Sequence, residues 1–413
     1  MNSSKTCEFC EEPEHIERPC PLQLVKNWRK LQVTVPKLSN YLYLIELSNA
    51  FERLVESNTP DPQLSERHQS FINRLEEFFQ TQFPGSKLET YGSCINGFST
   101  GANCLDLSLT FSTEIKETSL DASHERGTGM IESVSKLLTN NETVLEIQDI
   151  KLIYEKIPVI IFVSNKDGLY VNLSLSDPLR SASTRLVKEY NYYAPQLRTL
   201  NIVFLTIIKN CLNLHSRERG FSSFTSSLML IYYLQQKGYL PCLQEAYEGD
   251  TKPEIIGNNC NVWFQTDRDV VAKIWRPPND NITLAELWIN FLKFYLFEFD
   301  RNKYHVNISS LKPTEHTEPI KYLSIIDPFL KSRNLTATIK PKVFKMLFKL
   351  LYDTLIYHST DRGMSPNYVT WTESLFFPAA YEKHLDPILY ILLDEKNPSL
   401  RGYFNFYTSR LDY

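Results

Sequence analysis

Leu105, Leu107 and Leu109 alternate with Asp106 and Ser108 in strict period two, a short distance behind Tyr91-Gly92-Ser93 and a Gly/Ser-rich turn. Successive side chains on a strand face opposite ways, so this run reads as a half-buried strand, with leucines in a core and a carboxylate on the other face. Such a strand needs neighbours. Residues 150–155, 159–163 and 170–175 supply short β-branched runs separated by turn residues such as Asn165-Lys166-Asp167-Gly168. Elsewhere the apolar period changes to three and four. Residues 38–55 and 65–83 read as helices around a break at 58–62, and 119–138 as a third. From residue 185 onward helices dominate, at 199–212, 221–236, 284–299 and 342–357. The pattern predicts a small mixed or antiparallel sheet domain within an otherwise helical chain.

The chain is long enough for this, with 413 residues and 42% apolar content, and 22% charged residues with ordinary Gly and Pro usage exclude a disordered or collagen-like protein. The formal net charge of −4 excludes a broadly basic nucleic-acid binder, so any such contact must come from a local patch. The longest apolar runs, 157–163 and 202–208, fall far short of the roughly 20 residues that cross a bilayer. No export, organelle or lipidation signal is read at the first residues, and a cytoplasmic location, with RNA granules or the nucleus as alternatives, and no membrane contact are expected. Five of eight cysteines lie singly in globular sequence, which fits a reducing compartment.

The other three cysteines stand together. Cys7, Cys10, His15 and Cys20 read C-x2-C-x4-H-x4-C, three thiolates and an imidazole spaced to close a tetrahedral structural Zn2+ site. The spacing resembles the CCHC zinc knuckle, a family that binds single-stranded RNA through stacked aromatics and basic side chains. Phe9 offers a ring, but Glu8, Glu11, Glu12, Glu14 and Glu17 outnumber Lys5 and Arg18 and would repel phosphate. RNA contact, protein contact and a purely structural knuckle all remain open.

Tyr91-Gly92-Ser93 followed by the Asp106 strand resembles the DNA-polymerase-β-like superfamily, and within it the noncanonical poly(A) polymerases and terminal uridylyltransferases. Further matches follow in order: 83–88 before the Gly-Ser turn, Arg198 and Leu200 followed by Lys209, Gly220 to Phe224 with Leu228 to Gln235, and Ile326-Asp327-Pro328-Phe329 with Asn334-Leu335. The resemblance implies an α/β plus α architecture, in which a nucleotidyltransferase-like mixed sheet (62–184) is inserted into a helical central domain (36–61 and 185–413), behind a knuckle (1–24). It also implies a nucleotide cleft between the two. Gly92, Ser93, Thr184, Lys209, Ser223, Phe224, Asp327 and Arg333 are the nucleotide- and phosphate-binding positions it implies.

The family's chemistry needs three carboxylates holding two Mg2+ ions. Aligned on Gly92-Ser93, those positions fall on Cys104, Asp106 and Asn172, so only Asp106 is a carboxylate. A thiol is soft and mostly protonated at neutral pH, and an amide carries no charge, so Mg2+ is expected to be held weakly or not at all. The substrate positions have drifted too. Asn213 stands where a second lysine is usual, Phe224 replaces a tyrosine, Ser183-Thr184 replaces Asn-Thr, and Arg333 replaces the histidine that favours uridine. The expectation is a catalytically inactive terminal nucleotidyltransferase-like module. It would bind RNA, as a single strand or 3′ end, or an RNA-binding or RNA-tailing protein. The alternatives are an active uridylyl- or adenylyltransferase with an atypical metal site, and a scaffold that uses the old cleft as a protein groove.

Plainer roles stand beside these. Cys104 reads as a small buried space-filler, Asp106 as a turn cap or a partner for lysine, and Lys209 as a solvated side chain. Tyr190, Tyr192 and Tyr193 could stack RNA or simply pack, and Phe291, Phe294, Tyr295 and Phe297 have core-like helical spacing.

Overall fold

A computed structural model describes residues 41–60, 62–99, 104–111, 124–154, 158–175, 178–212, 221–246, 253–256, 260–317 and 322–359. The cysteine and histidine cluster at residues 7–20 and Asn213 lie outside the described residues. The chain divides into two compact units, one of residues 56–193 with 251–264, the other of residues 1–55, 194–250 and 265–413.

The first helix, α1 (Tyr41–Ser57), belongs almost wholly to the second unit. The first unit then runs α2 (Pro62–Gln82), β1 (Lys87–Tyr91), a single turn α3 (Ser93–Asn96), β2 (Cys104–Thr110), α4 (His124–Asn140), a turn α5 (Glu142–Leu145), β3 (Ile147–Ile153), β4 (Val159–Ser164), β5 (Leu169–Leu175) and α6 (Pro178–Tyr193). A hairpin of β6 (Ile255–Ile256) and β7 (Cys260–Asn261) completes it.

The five long strands make one mixed sheet in the order β1-β2-β5-β4-β3. All pairs are antiparallel except β2 with β5. The pleat sorts the side chains as the alternation requires. Leu105, Leu107, Leu109, Ile160, Phe162, Val171 and Leu173 are buried in one core with Phe71, Leu75 and Phe79 of α2 and Ile131, Val134 and Leu138 of α4. The intervening residues take the opposite face. Cross-strand partners there line up in rows, Tyr91–Asp106–Asn172–Ile161–Lys151 and Cys104–Tyr170–Val163–Gln148. Parallel pairing of β2 with β5 thus sets Asp106 directly beside Asn172.

The second unit adds α7 (Gln196–Leu212), α8 (Ser223–Gln236), α9 (Arg268–Ile274), α10 (Leu284–Lys293), the pair β8 (Tyr304–His305) and β9 (Thr314–Glu315), and α11 (Pro341–Ser359). Every residue of α8 from Thr225 to Gln235 is buried, as expected of a helix apolar on all sides. Thr283 and Glu286 close a reciprocal capping box at the start of α10. After Lys293 the helix widens into a π turn, Phe294–Glu298. That turn corrects the helical spacing read for the aromatic run: Phe291, Phe294 and Tyr295 are buried, but Phe297 is 39% exposed. The wider turn rotates positions after Phe294 away from an α-helical phase. His358 of α11 ties the ends of the unit together, with one ring nitrogen 2.5 Å from the Tyr43 hydroxyl and the other 3.3 Å from the Trp288 indole N–H. No helix among the described residues is long and apolar enough to cross a membrane.

Candidate functional site

Gly92 ends β1 at φ +77° and ψ −151°, a backbone region essentially reserved for glycine. Space demands glycine as well, because a Cβ there would lie 2.5 Å from Asp106 Oδ2. The turn that follows folds back on it, with the Ile95 and Asn96 N–H groups both donating to the Gly92 carbonyl. The Gly92 N–H itself donates to Thr184 Oγ1 at 3.0 Å, and that hydroxyl donates to the Arg180 carbonyl one turn earlier on α6. One amide of the Gly-Ser turn is therefore already spent within the protein. Ser93 beside it is half-buried.

Asp106 is half-buried on the open side of the sheet. The Asn172 amide donates from Nδ2 to its Oδ1 at 2.8 Å. A carboxylate only accepts, so the amide must turn its nitrogen, not its oxygen, toward Asp106. Burial pushes the Asp106 carboxyl above its ordinary range, opposed by the Asn172 bond and by the positive charge of Arg180. Arg180 lies within the same cluster. Its Nη1 donates to the Tyr91 hydroxyl at 3.1 Å, and the guanidinium sits 5.6 Å from the centre of the Tyr91 ring. The Tyr91 hydroxyl also lies 3.4 Å from Ser174 Oγ.

Cys104 differs from its expected role as a buried filler. It is exposed, because it is the first residue of β2 and lies at the open end of its row beside Tyr170, itself 61% exposed. The Cys94 thiol donates to the Cys104 carbonyl at 3.0 Å. Burial first, then the nearby Asp106 and Cys104, push the Cys94 thiol up to about 11, so it is neutral at physiological pH.

These groups do not fit a pair of magnesium ions. Mg2+ wants a near-octahedral set of hard oxygens. Here one thiol, one carboxylate with an oxygen committed to an amide N–H, and an amide facing nitrogen-first stand in the three positions, with a guanidinium close by. Among the described residues no three His, Cys, Asp or Glu side chains come together as a metal-ligand set.

In the second unit, Ser223 is exposed and Phe224 half-buried in the first turn of α8. The cap of that helix is their neighbour Ser222, whose Oγ accepts from the Thr225 N–H at 3.1 Å. Asp327 and Arg333 come together in one loop. Asp327 Oδ1 accepts from the Phe329 and Leu330 N–H groups, and its Oδ2 lies 3.5 Å from Arg333 Nη1. The Asp327 N–H in turn donates to the Arg333 carbonyl. Asp327 is buried and Arg333 is 37% exposed. Lys209 is on α7, and its side chain is outside the described ones. Of the tyrosines, Tyr190 is fully buried and Tyr192 is 52% exposed, so the three are not one surface strip.

The cluster around Asp106 contains one residue that motif reading passed over, Arg180, and one, Tyr91, that it included in the Gly-Ser motif without giving it a role. The available signal was the i, i+4 spacing of Arg180 and Thr184 on one helix, which puts both side chains on the same face.

Residues 47–192 match the family described as the central palm domain of mitochondrial-like poly(A) RNA polymerases. Among curated relatives, human terminal uridylyltransferase 7 is 27% identical over 90% of this chain and 25% of its own length. By sequence as well as by its palm-domain match, this chain is similar to noncanonical poly(A) polymerases and terminal uridylyltransferases. Xenopus laevis poly(A) RNA polymerase GLD2-A is also 27% identical, over 66% of this chain and 52% of that relative. The chain spans about a quarter of the length of the uridylyltransferase it matches. In fold, mtPAP in complex with GTP superposes with a TM-score of 0.69 at 18% identity, covering 80% of this chain and 72% of that one. The Cid1 poly(U) polymerase bound to MgGTP does so with a TM-score of 0.65 at 16% identity, covering 80% and 98%. Within the matched residues, β2 carries Cys104 and Asp106 on one face, and Asp106 pairs with Asn172 of β5.

Proposed function

We propose that the chain is a catalytically inactive terminal nucleotidyltransferase-like module, retained to bind an RNA 3′ end or a protein of RNA 3′-end tailing. The single observation that carries this reading is the 2.8 Å bond from the Asn172 amide to Asp106. Two-metal phosphoryl transfer needs several carboxylates on neighbouring strands, and most of its rate comes from metal positioning and charge neutralisation. One carboxylate bonded to an amide cannot hold two divalent ions in reaction geometry, so this palm neither activates a 3′ hydroxyl nor grips a triphosphate through Mg2+. The relatives' names describe RNA polymerases and uridylyltransferases, which makes RNA or an RNA-handling protein the natural partner of a palm that has kept their shape.

Primer extension on a labelled short RNA tests this, with each of the four nucleotides in Mg2+ and separately in Mn2+. The wild-type chain is expected to add nothing, and Cys104→Asp/Asn172→Asp to add nucleotides. Extension by the wild type that Asp106→Ala abolishes would overturn the reading in favour of an enzyme with an atypical metal site.

A further inference from the structure

We propose that the guanidinium of Arg180 is the fixed cation of a metal-independent phosphate-binding site in the palm, centred on Arg180, Tyr91, Asp106 and Asn172. This deepens the reading of an inactive palm and rests on it. In a two-metal site the divalent ions neutralise clustered carboxylates and then attract the phosphate oxygens. Of the three positions aligned with metal ligands only Asp106 is a carboxylate, and the Arg180 guanidinium bonds the Tyr91 hydroxyl beside it in the cross-strand row. Arg180 is half-buried on the first turn of α6 and is held by its bond to the Tyr91 hydroxyl and by its position against the Tyr91 ring.

The register makes the arrangement specific. Tyr91, Asp106 and Asn172 are consecutive in one cross-strand row. The Gly92 amide bonded to Thr184 joins β1 to the helix that carries Arg180. The guanidinium is thereby held against Tyr91, at one end of that row, by the first turn of α6, without depending on any bound ion. Guanidinium groups bind phosphate through a planar fork of N–H donors and stay charged at every physiological pH. The ligand class is a phosphoryl oxyanion, supplied either by the phosphate chain of a nucleoside triphosphate or by an RNA phosphodiester.

Calorimetric titration of the full chain with UTP, ATP, inorganic triphosphate and a short oligouridylate, in EDTA and then in excess Mg2+, tests the assignment. At least one of these probes is expected to bind in EDTA, with an affinity that Mg2+ changes by less than about threefold. Whether triphosphate or oligouridylate binds tells the two sources apart. Arg180→Gln keeps a donor for Tyr91 and removes the charge, and it should weaken binding by about tenfold or more. Tyr91→Phe, which removes only the tether's hydroxyl, should weaken it less. Asp106→Asn is expected to tighten binding by removing a negative charge beside the phosphate, whereas in a metal-dependent site it would weaken it. Absence of binding in EDTA for every probe, an unchanged affinity in Arg180→Gln, or weakening by Asp106→Asn would each overturn the proposal. None of these results depends on primer extension, so an active wild type would instead overturn the reading of the palm as inactive.

Discussion

Asp106 shows how one side chain's surroundings decide what a site can do. Its carboxyl is raised by burial and stabilised in the ionised form chiefly by the Asn172 amide. In Asn172→Leu that bond is lost, and the folded carboxyl rises further above its unfolded value. The cost is present only while Asp106 is ionised, so it is full at pH 7 and fades as the pH falls through the folded value. We expect about 1–2 kcal/mol at pH 7, the lower part of the range for a hydrogen bond to a charged group because the site is half-buried. Urea midpoints of the variant and the parent at pH 7 and pH 4 check this, and a gap that widens toward acid would refute it. Asp106, Cys104 and Asn172 are marked by the family resemblance, through alignment on Gly92-Ser93. Arg180 was not legible in the same way. Its meeting with Tyr91 depends on how α6 packs beside β1, and no local pattern encodes that angle.

Among elements, the strands were legible because one face is buried and the other is not. The alternation of Leu105, Leu107 and Leu109 needs no tertiary information. The parallel pairing of β2 with β5 was not legible, since period two is the same for either direction. The π turn after α10 was missed for a related reason: Phe294, Tyr295 and Phe297 fit an α-helical stripe, and only the packed structure reveals the added residue per turn. Helix ends are more explicit. Thr283 and Glu286 have the Ser/Thr-x-x-Glu pattern, and the structure bonds each side chain to the other's backbone. Thr283→Ala should cost about 1 kcal/mol. Because the two bonds are reciprocal, Thr283→Ala/Glu286→Ala should cost less than the sum of the single variants in a thermal-unfolding cycle. Additivity within error would mean that the two caps act independently.

For the molecule as a whole, the two units are not contiguous stretches of chain. Residues 251–264 return to the palm's unit from within the helical sequence, and Arg185 of α6 meets Glu254 and the Phe264 ring there. The helical unit is closed at its other extreme by His358, which contacts Tyr43 across 315 residues. Burial depresses that imidazole from 6.5 to about 3. Below pH 6.5 the unfolded chain binds a proton that the folded one refuses, so stability must fall as the pH drops through that window. The slope is about 1.4 kcal/mol per pH unit for one such group. His358→Gln should flatten the dependence between about pH 6 and pH 4, as read from denaturant midpoints at several pH values. An unchanged slope would show that His358 is not the acid-sensitive group.

The pairing of β2 with β5 has a consequence in time. Residues 106 and 172 lie 66 apart in sequence, whereas β3, β4 and β5 close on one another through short antiparallel turns. Loop-closure entropy favours the near contacts first, so the Asp106–Asn172 contact between β2 and β5 is expected among the late steps of folding. Interactions formed after the rate-limiting barrier govern how fast a protein comes apart rather than how fast it assembles. The Asn172 amide is thus placed to act as a latch on the palm's lifetime, because its N–H can bond Asp106 where a second carboxylate would repel it.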